Sequence, residues 1–405
     1  MTAGRILFLP WDEAHNASAR CRIFDLAAWL GRRGWETTVW APVGGSLGAR
    51  LGTPGAFRGP RRALYRSWQL ANRRRQIGHA RDFDVVVLQR ELYPFGKPWL
   101  EETLRAAARA MVFDLDDALH LRPVHFRAAT HRWHDFAKAE QIARTADAVV
   151  VSSTTLEEWA TPLASRVVLV PTAVDTERFR PLASAGDTRQ SPAPGESAKQ
   201  PLAPAADVSR PPARGDDLRT AFASADSKRP LVLGWTGTAG NLAHLETIRP
   251  ALDAVAQQVP CVLRVIGERA FAGRPGGIRT EFVPWDLERE PAEVARFDIG
   301  LMPLADSEYA RAKAGYKALV YMACAVPPVL SPVGTNREIV QDGVDGLFAE
   351  TTEAWRDGIL RLAHDRELRA RLGRAGRDRV VSERSVEALF PRWEALLNEL
   401  IRGTR

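Results

Sequence analysis

Two groups of residues have types and spacing suited to chemistry. The first is acidic, in the run Phe113-Asp-Leu-Asp-Asp-Ala-Leu-His120. Met111 to Phe113 reads as a buried strand, so Asp114, Asp116 and Asp117 stand at its carboxyl end, where open α/β sheets gather their ligands. Carboxylates there can orient a hydroxyl, pair with arginines or cap the next helix. His120 follows the acids directly. His125, His131 and His134 come after it, and His131 and His134 would share a helix face. The chain has no H-E-x-x-H and no cysteine pair, so these histidines read as surface or core-rim residues and no metal is expected. The second group is cationic. Lys313 and Lys317 flank the start of an apolar helix, Tyr316 to Cys324. Positive charge there opposes the helix dipole, but it suits a polyphosphate lying at the helix N-terminus. A glycine-rich turn, Thr236-Gly-Thr-Ala-Gly-Asn241, leads into another helix and can bring backbone N–H groups to phosphate; the alternative is that Asn241 only caps that helix.

The elements that must position these groups come in two sets. Ile6 to Pro10, Thr37 to Trp40, Val85 to Leu88, Met111 to Phe113, Ala148 to Ser152 and Val167 to Val170 are apolar runs of strand length separated by helical patterns. Leu231 to Trp235, Cys261 to Ile266, Ile278 to Val283, Ile299 to Met302 and Pro328 to Leu330 form a second set. Alternating strands and helices predict parallel sheets. A chain of 405 residues is too long for most single cores and suits two domains. Residues 1–183 form the first domain and 230–384 the second. The stretch 184–229 is a Pro/Ala/Ser-rich linker that cannot bury enough apolar area to order itself. Residues 385–405 form a last helix. The loop after the first strand carries Asn16, Ala17 and Ser18 in place of G-x-G-x-x-G, which argues against a dinucleotide site. Either Asn16 or Ser18 can cap the helix that follows.

Hydrophobic content of 45%, charged content of 26% and a net charge of +7 describe a soluble globular protein that favours anionic partners. Cys21, Cys261 and Cys324 are few and far apart, which predicts reduced thiols in a cytoplasm. No window approaches a spanning helix.

The stretch Asp298 to Phe348 resembles the nucleotide-sugar half of a family 4 glycosyltransferase of the GT-B fold. The resemblance is carried by DIGLMPL (298–304), KALVYMACAVPPVLSPVG (317–334) and NREIVQDGVDGLF (336–348). FDLDDALH (113–120) and VLVPTAVDTERFRP (168–181) are similar to other segments of that family. The resemblance implies two Rossmann-like domains facing across a cleft, with the last helix crossing back to the first domain. It implies a retaining transfer of a sugar from a nucleotide diphosphate sugar to an acceptor hydroxyl, without a metal or other cofactor. The donor would meet Gly237, Thr238, Asn241, Arg269, Trp285, Lys313, Lys317, Gly334, Thr335, Asn336 and Glu338. Asn16, Ser18 and Arg20 would face the acceptor, and Asp116, Asp117 and His120 would orient acceptor or sugar. The chain departs from the family's E-x7-E pattern, with Ala312 and Val320 at the glutamate positions. A valine cannot accept a hydrogen bond from a ribose hydroxyl. A second reading is therefore a GT-B protein that has lost its chemistry and serves as a binding or scaffolding partner in glycan assembly. A third is an epimerase of the same fold.

The implied partners are a nucleotide sugar and a glycan or lipid-linked acceptor. One segment adds a further partner. Arg61 to Arg81 interleaves arginines with Leu64, Tyr65, Trp68, Leu70 and Ile77. One reading lays this helix on an anionic membrane, giving a cytoplasmic protein peripheral to the inner face. The other packs Leu64, Trp68 and Ala71 on the sheet and leaves the arginines in solvent. No nucleic-acid module accompanies the charge.

Overall fold

The computed structural model describes residues 4–43, 60–122, 134–182, 229–273 and 275–403. His125, His131 and all of the expected linker except Arg229 lie outside them, as do the side chains of Arg61 and Arg62.

The strands form two six-stranded parallel sheets. The first holds β1 (Arg5–Leu9), β2 (Glu36–Val39), β3 (Val85–Gln89), β4 (Met111–Leu115), β5 (Ala148–Val151) and β6 (Val167–Leu169), in the order β2-β1-β3-β4-β5-β6. The second holds β7 (Leu231–Gly237), β8 (Cys261–Gly267), β9 (Arg279–Pro284), β10 (Ile299–Met302), β11 (Pro328–Leu330) and β12 (Leu347–Phe348), in the order β12-β11-β10-β7-β8-β9. The central strands are near-continuous apolar runs, as sheets covered on both faces require. Side chains alternate between faces along each strand. Leu7 and Leu9 enter one core with Val86, Leu88, Met111 and Phe113, while Ile6 and Phe8 enter the opposite core with Val85, Val87 and Val112. Each order reverses once. The chain leaves β1 for β2 and returns to β3 on the other side, and it does the same at β7 and β10. Loops diverging at such a reversal open a crevice at the strands' carboxyl ends.

Helix Val386–Gly403 buries Leu389, Phe390, Trp393, Leu396, Leu397 and Ile401 against Ile6, Phe8, Trp29 and Trp35 of the first domain. Two indole N–H groups fix its register: Trp29 donates to Glu387 at 3.0 Å and Trp35 to Glu394 at 3.0 Å. The glycine-rich turn after β7 leads into two helices in place of the one expected, Leu242–Thr247 and Arg249–Ala256, with Pro250 in the first turn of the second. Proline removes an N–H and fits only near a helix start.

The helix Pro60–Gly78 corrects one expectation. Leu64 and Trp68 are 64% and 51% exposed, whereas Arg73 is fully buried. The face expected to pack on the sheet points outward.

Candidate active site

The loop after β1 reaches the crevice through an irregular helix. Asn16 caps Ala17–Ala19, accepting from the backbone N–H of Ser18 at 3.0 Å. The next turn, Arg20–Phe24, is π-helical, and Arg20, Cys21, Arg22 and Ile23 are all buried. A π-turn carries an extra residue, and such turns recur at functional sites. Here it lets two arginines point inward in different directions.

The three acids at the end of β4 have separate partners. Asp114 is fully buried on Arg22, whose Nε lies 3.1 and 3.0 Å from its two oxygens and whose Nη2 also bonds it. The remaining Nη1 donates to the carbonyl of Val170 at 2.8 Å. Burial pushes the Asp114 carboxyl up, and Arg22 opposes that. This pair is a support, and it leaves Asp114 no edge for a ligand. Asp116 accepts from Arg90 Nε at 2.6 Å and from the Ser18 hydroxyl. Gln89 donates to Ser18 Oγ at 3.0 Å. Burial works against ionisation of Asp116, but the Arg90 guanidinium, with Arg22 and Ser18, holds its carboxyl below the usual carboxylate value. Arg90 has φ +57°, a left-handed backbone uncommon for a non-glycine residue. That turn brings its guanidinium back over Asp116 and to 4.6 Å from the Trp11 ring centroid. Asp117 accepts from the phenol of Tyr309, a residue of the second domain, at 2.9 Å. His120 does not join the acids. It stacks on Trp159 at 4.4 Å, its Nδ1 buried and without a hydrogen-bond partner among the described residues. Burial lowers its pKa, with Glu308 opposing.

Across the crevice, Lys317 lies in the first turn of helix Tyr316–Ala323, its Nζ 5.5 Å from the Trp235 ring centroid. Gly237 makes room for it: a Cβ there would stand 2.8 Å from Lys317 Cε and 2.8 Å from the Trp235 ring. Lys313 Nζ sits 4.9 Å from the centroid of the Tyr309 ring. Neither ammonium has an ion pair or hydrogen bond to a carboxylate among the described residues. Burial pushes the Lys317 pKa down to about 8, with Lys313 adding to the effect and Glu290 opposing it. Glu290 is itself buried, and it pairs with Arg20 of the first domain at 3.5 Å and accepts from Thr236 Oγ1 at 3.4 Å.

The remaining expected residues divide. Thr238 and Asn241 stay at the β7 turn, joined by a 3.0 Å bond from the Asn241 amide to the Thr238 hydroxyl. Asn241 precedes helix Leu242–Thr247 without a side-chain cap bond. Arg269 is exposed beyond β8. Trp285 packs at the rim of the second domain's core, its backbone N–H donating to the Gly267 carbonyl at 2.9 Å. Gly334, at φ +52°, lies under the backbone of Arg311, where a Cβ would be 2.1 Å from the Arg311 carbonyl oxygen. Asn336 is buried and donates to the Ser331 carbonyl at 2.9 Å, so its amide serves the fold. Thr335 is buried, its hydroxyl without a hydrogen-bond partner among the described residues. Glu338 accepts from Thr154 of the first domain at 2.6 Å.

Arg90, Glu290 and Tyr309 complete the site and were not anticipated. Arg90 carried a signal, being an arginine at the carboxyl end of the strand beside the acids. Glu290 carried none, since EREPAEV looks like any solvated helix start. Among the described residues no cluster of side chains is arranged to hold a metal.

Residues 230–365 match the family model for glycosyl transferases group 1. Among curated proteins, none matches the chain by sequence. Solved structures align over nearly its whole length. Sucrose-phosphate synthase from Thermosynechococcus elongatus is 16% identical with a TM-score of 0.67, covering 98% of this chain and 99% of that one. The Anabaena protein HepE in complex with UDP and glucose is 15% identical with a TM-score of 0.62, covering 98% and 100%. The catalytic domain of starch synthase IV from Arabidopsis thaliana, bound to ADP and acarbose, is 12% identical with a TM-score of 0.63, covering 99% and 100%. At these identities the likeness is one of fold. Two parallel sheets meeting at their carboxyl ends give this chain the GT-B architecture, and its second domain matches the group 1 glycosyl transferases.

Proposed function

We propose that the chain is a retaining glycosyltransferase that moves a sugar from a nucleotide diphosphate sugar to an acceptor hydroxyl. The observation that carries this reading is the pair of lysines, Lys313 and Lys317, without a carboxylate partner among the described residues, beside Gly237, where a Cβ would crowd both Lys317 and Trp235. Two ammoniums four residues apart repel each other until an anion lies between or above them. A diphosphate supplies that charge, and the lysines in turn stabilise it as it departs.

The acids across the crevice are positioned to hold, not to attack. Asp116 is committed to Arg90 and Ser18, and Asp117 to Tyr309. The acceptor proton then passes to a donor phosphate oxygen, and Asp117 orients the acceptor or sugar. Asn16 acts through the backbone it caps, and Arg20 through Glu290. The lysines take the role a metal would have, so the reaction is metal-independent. The product belongs to a cell-surface glycan or glycoconjugate, the acceptor is a glycan or lipid-linked hydroxyl compound, and the setting is cytoplasmic.

The test is thermal unfolding with UDP, GDP, ADP and their sugar conjugates, one at a time. Ligand at a hundred times its dissociation constant adds about 2.7 kcal/mol of stability. A shift with one base, lost in Lys317→Ala, supports the donor site. Retention is read from the anomer of the product, and metal independence from turnover in chelator. A second reading has its own observation: Ala312 and Val320 are fully packed among apolar side chains. A nucleotide shift without turnover on any acceptor would favour a binding protein of this fold.

A further inference from the structure

The helix Pro60–Gly78 turns part of its apolar surface outward. Its inward face is mixed: Leu70 and Ile77 pack on the first core, and polar side chains beside them serve backbone carbonyls of the loops at the carboxyl end of the first sheet. Arg73 donates to Trp40 O at 3.1 Å and to the carbonyl of Pro10. Gln76 donates to Ala41 O at 3.0 Å, Asn72 to Pro42 O at 3.0 Å and Gln69 to Leu92 O at 3.3 Å. These carbonyls follow β1, β2 and β3. Buried carbonyls must be paired, so the helix is held by this set of bonds together with the contacts of Leu70 and Ile77.

Its outward face carries Leu64, Trp68 and Ala71 at i, i+4 and i+7, continued by Arg74 and Arg75. Arg74 lies 5.0 Å from the ring centroid of Trp99, itself a partly exposed tryptophan on the neighbouring helix. The helix contains no aspartate or glutamate. A stripe of exposed leucine and tryptophan beside arginines complements an apolar layer covered by anionic headgroups. We infer that this face docks the protein on an anionic lipid bilayer. Trp68 and Leu64 enter the headgroup boundary, and Arg74 and Arg75 meet the headgroups. The helix covers the same end of the sheet that holds Ser18, Arg90 and Asp116, so docking sets the acceptor side of the crevice against the membrane. This last consequence rests on the proposed transfer, but the docking itself does not.

The test is co-sedimentation of the full chain with vesicles of phosphatidylcholine alone and with an added fraction of phosphatidylglycerol. Binding is expected only to the anionic vesicles, and it should fall as salt is raised. Each of Arg74→Ala and Arg75→Ala is expected to weaken it about fivefold, and Leu64→Glu with Trp68→Glu to abolish it. All four side chains are exposed, so the variants should keep the wild-type melting temperature. Phe282→Glu, which removes an exposed aromatic of the second domain, should leave binding unchanged. Nucleotide binding in solution should be the same in every variant, which separates failure of docking from failure of the donor site. The inference is overturned by equal binding to neutral vesicles, by binding that survives Leu64→Glu with Trp68→Glu, by no binding at all, or by a dimer that those substitutions dissolve.

Discussion

Lys317 offers the sharpest test of the donor site, because its charge should depend on pH within an accessible range. Its pKa is held near 8, against an ordinary lysine value of 10.5, first by burial and then by Lys313. That gap of about 2.5 corresponds to at most about 3.4 kcal/mol at 1.36 kcal/mol per pH unit. The side chain is only half-buried, so solvent screening reduces this to roughly 1–3 kcal/mol. The sign follows from proton counting. Between about pH 8 and 10.5 the unfolded chain holds this proton and the folded chain does not, so stability of the free protein rises with pH across the window. A bound diphosphate reverses the preference by supplying the missing counter-charge. Nucleotide binding should therefore draw in a proton near pH 8 and weaken by up to about tenfold per pH unit above it. Calorimetric titration in buffers of different ionisation enthalpy measures that uptake. Lys317→Met should weaken binding at neutral pH and remove the proton uptake. Proton uptake unchanged in Lys317→Met, or affinity flat from pH 7 to about 9.5, would refute the assignment.

Gly237→Ala should displace the Lys317 side chain and lower nucleotide affinity by about tenfold, with a stability loss of about 1–3 kcal/mol from crowding against Trp235; calorimetry and urea denaturation read the two effects separately. Asp116→Ala leaves the Arg90 guanidinium buried without its main partner and should cost about 3–5 kcal/mol. Because the folded carboxyl lies below its ordinary value, that deficit should be full above the ordinary aspartate pKa and shrink as acid protonates Asp116 in the wild type. Tyr309→Phe keeps the ring beside Lys313 but removes the bond to Asp117, so turnover should fall about tenfold while nucleotide affinity holds. Equal losses in both would place Tyr309 in the donor site instead.

The parallel sheets were legible because strands covered on both faces leave an unbroken apolar signature, as in VVVL (85–88) and AVVV (148–151). The acids and lysines were legible as chemistry because each ends or follows such a strand. Their pairing was not. Nothing in FDLDD separates Asp114, which turns into the core onto Arg22, from Asp116, which meets Arg90. The strand's twofold alternation places them on the same side, and only the two arginines, contributed by different loops, distinguish them. Asn336 read as a donor-binding residue, but it is buried and its amide donates to the Ser331 carbonyl, a local contact that the sequence cannot show. The helix Pro60–Gly78 failed for a related reason. A moment argument assumes that the inside is apolar, and here Leu70 and Ile77 share the inside with Gln69, Asn72, Arg73 and Gln76, whose N–H groups meet a row of carbonyl oxygens.

The helix Val386–Gly403 closes one face of the first sheet although it follows every other described element along the chain. Translation runs from the amino end, so Ile6, Phe8, Trp29 and Trp35 emerge long before their cover does. Until that helix leaves the ribosome, the face is an open apolar surface with two indole N–H groups still bonded to water. The first domain thus reaches its native state only once Val386–Gly403 has been made, and its stability is tied to the integrity of a helix some 360 residues away from Trp29.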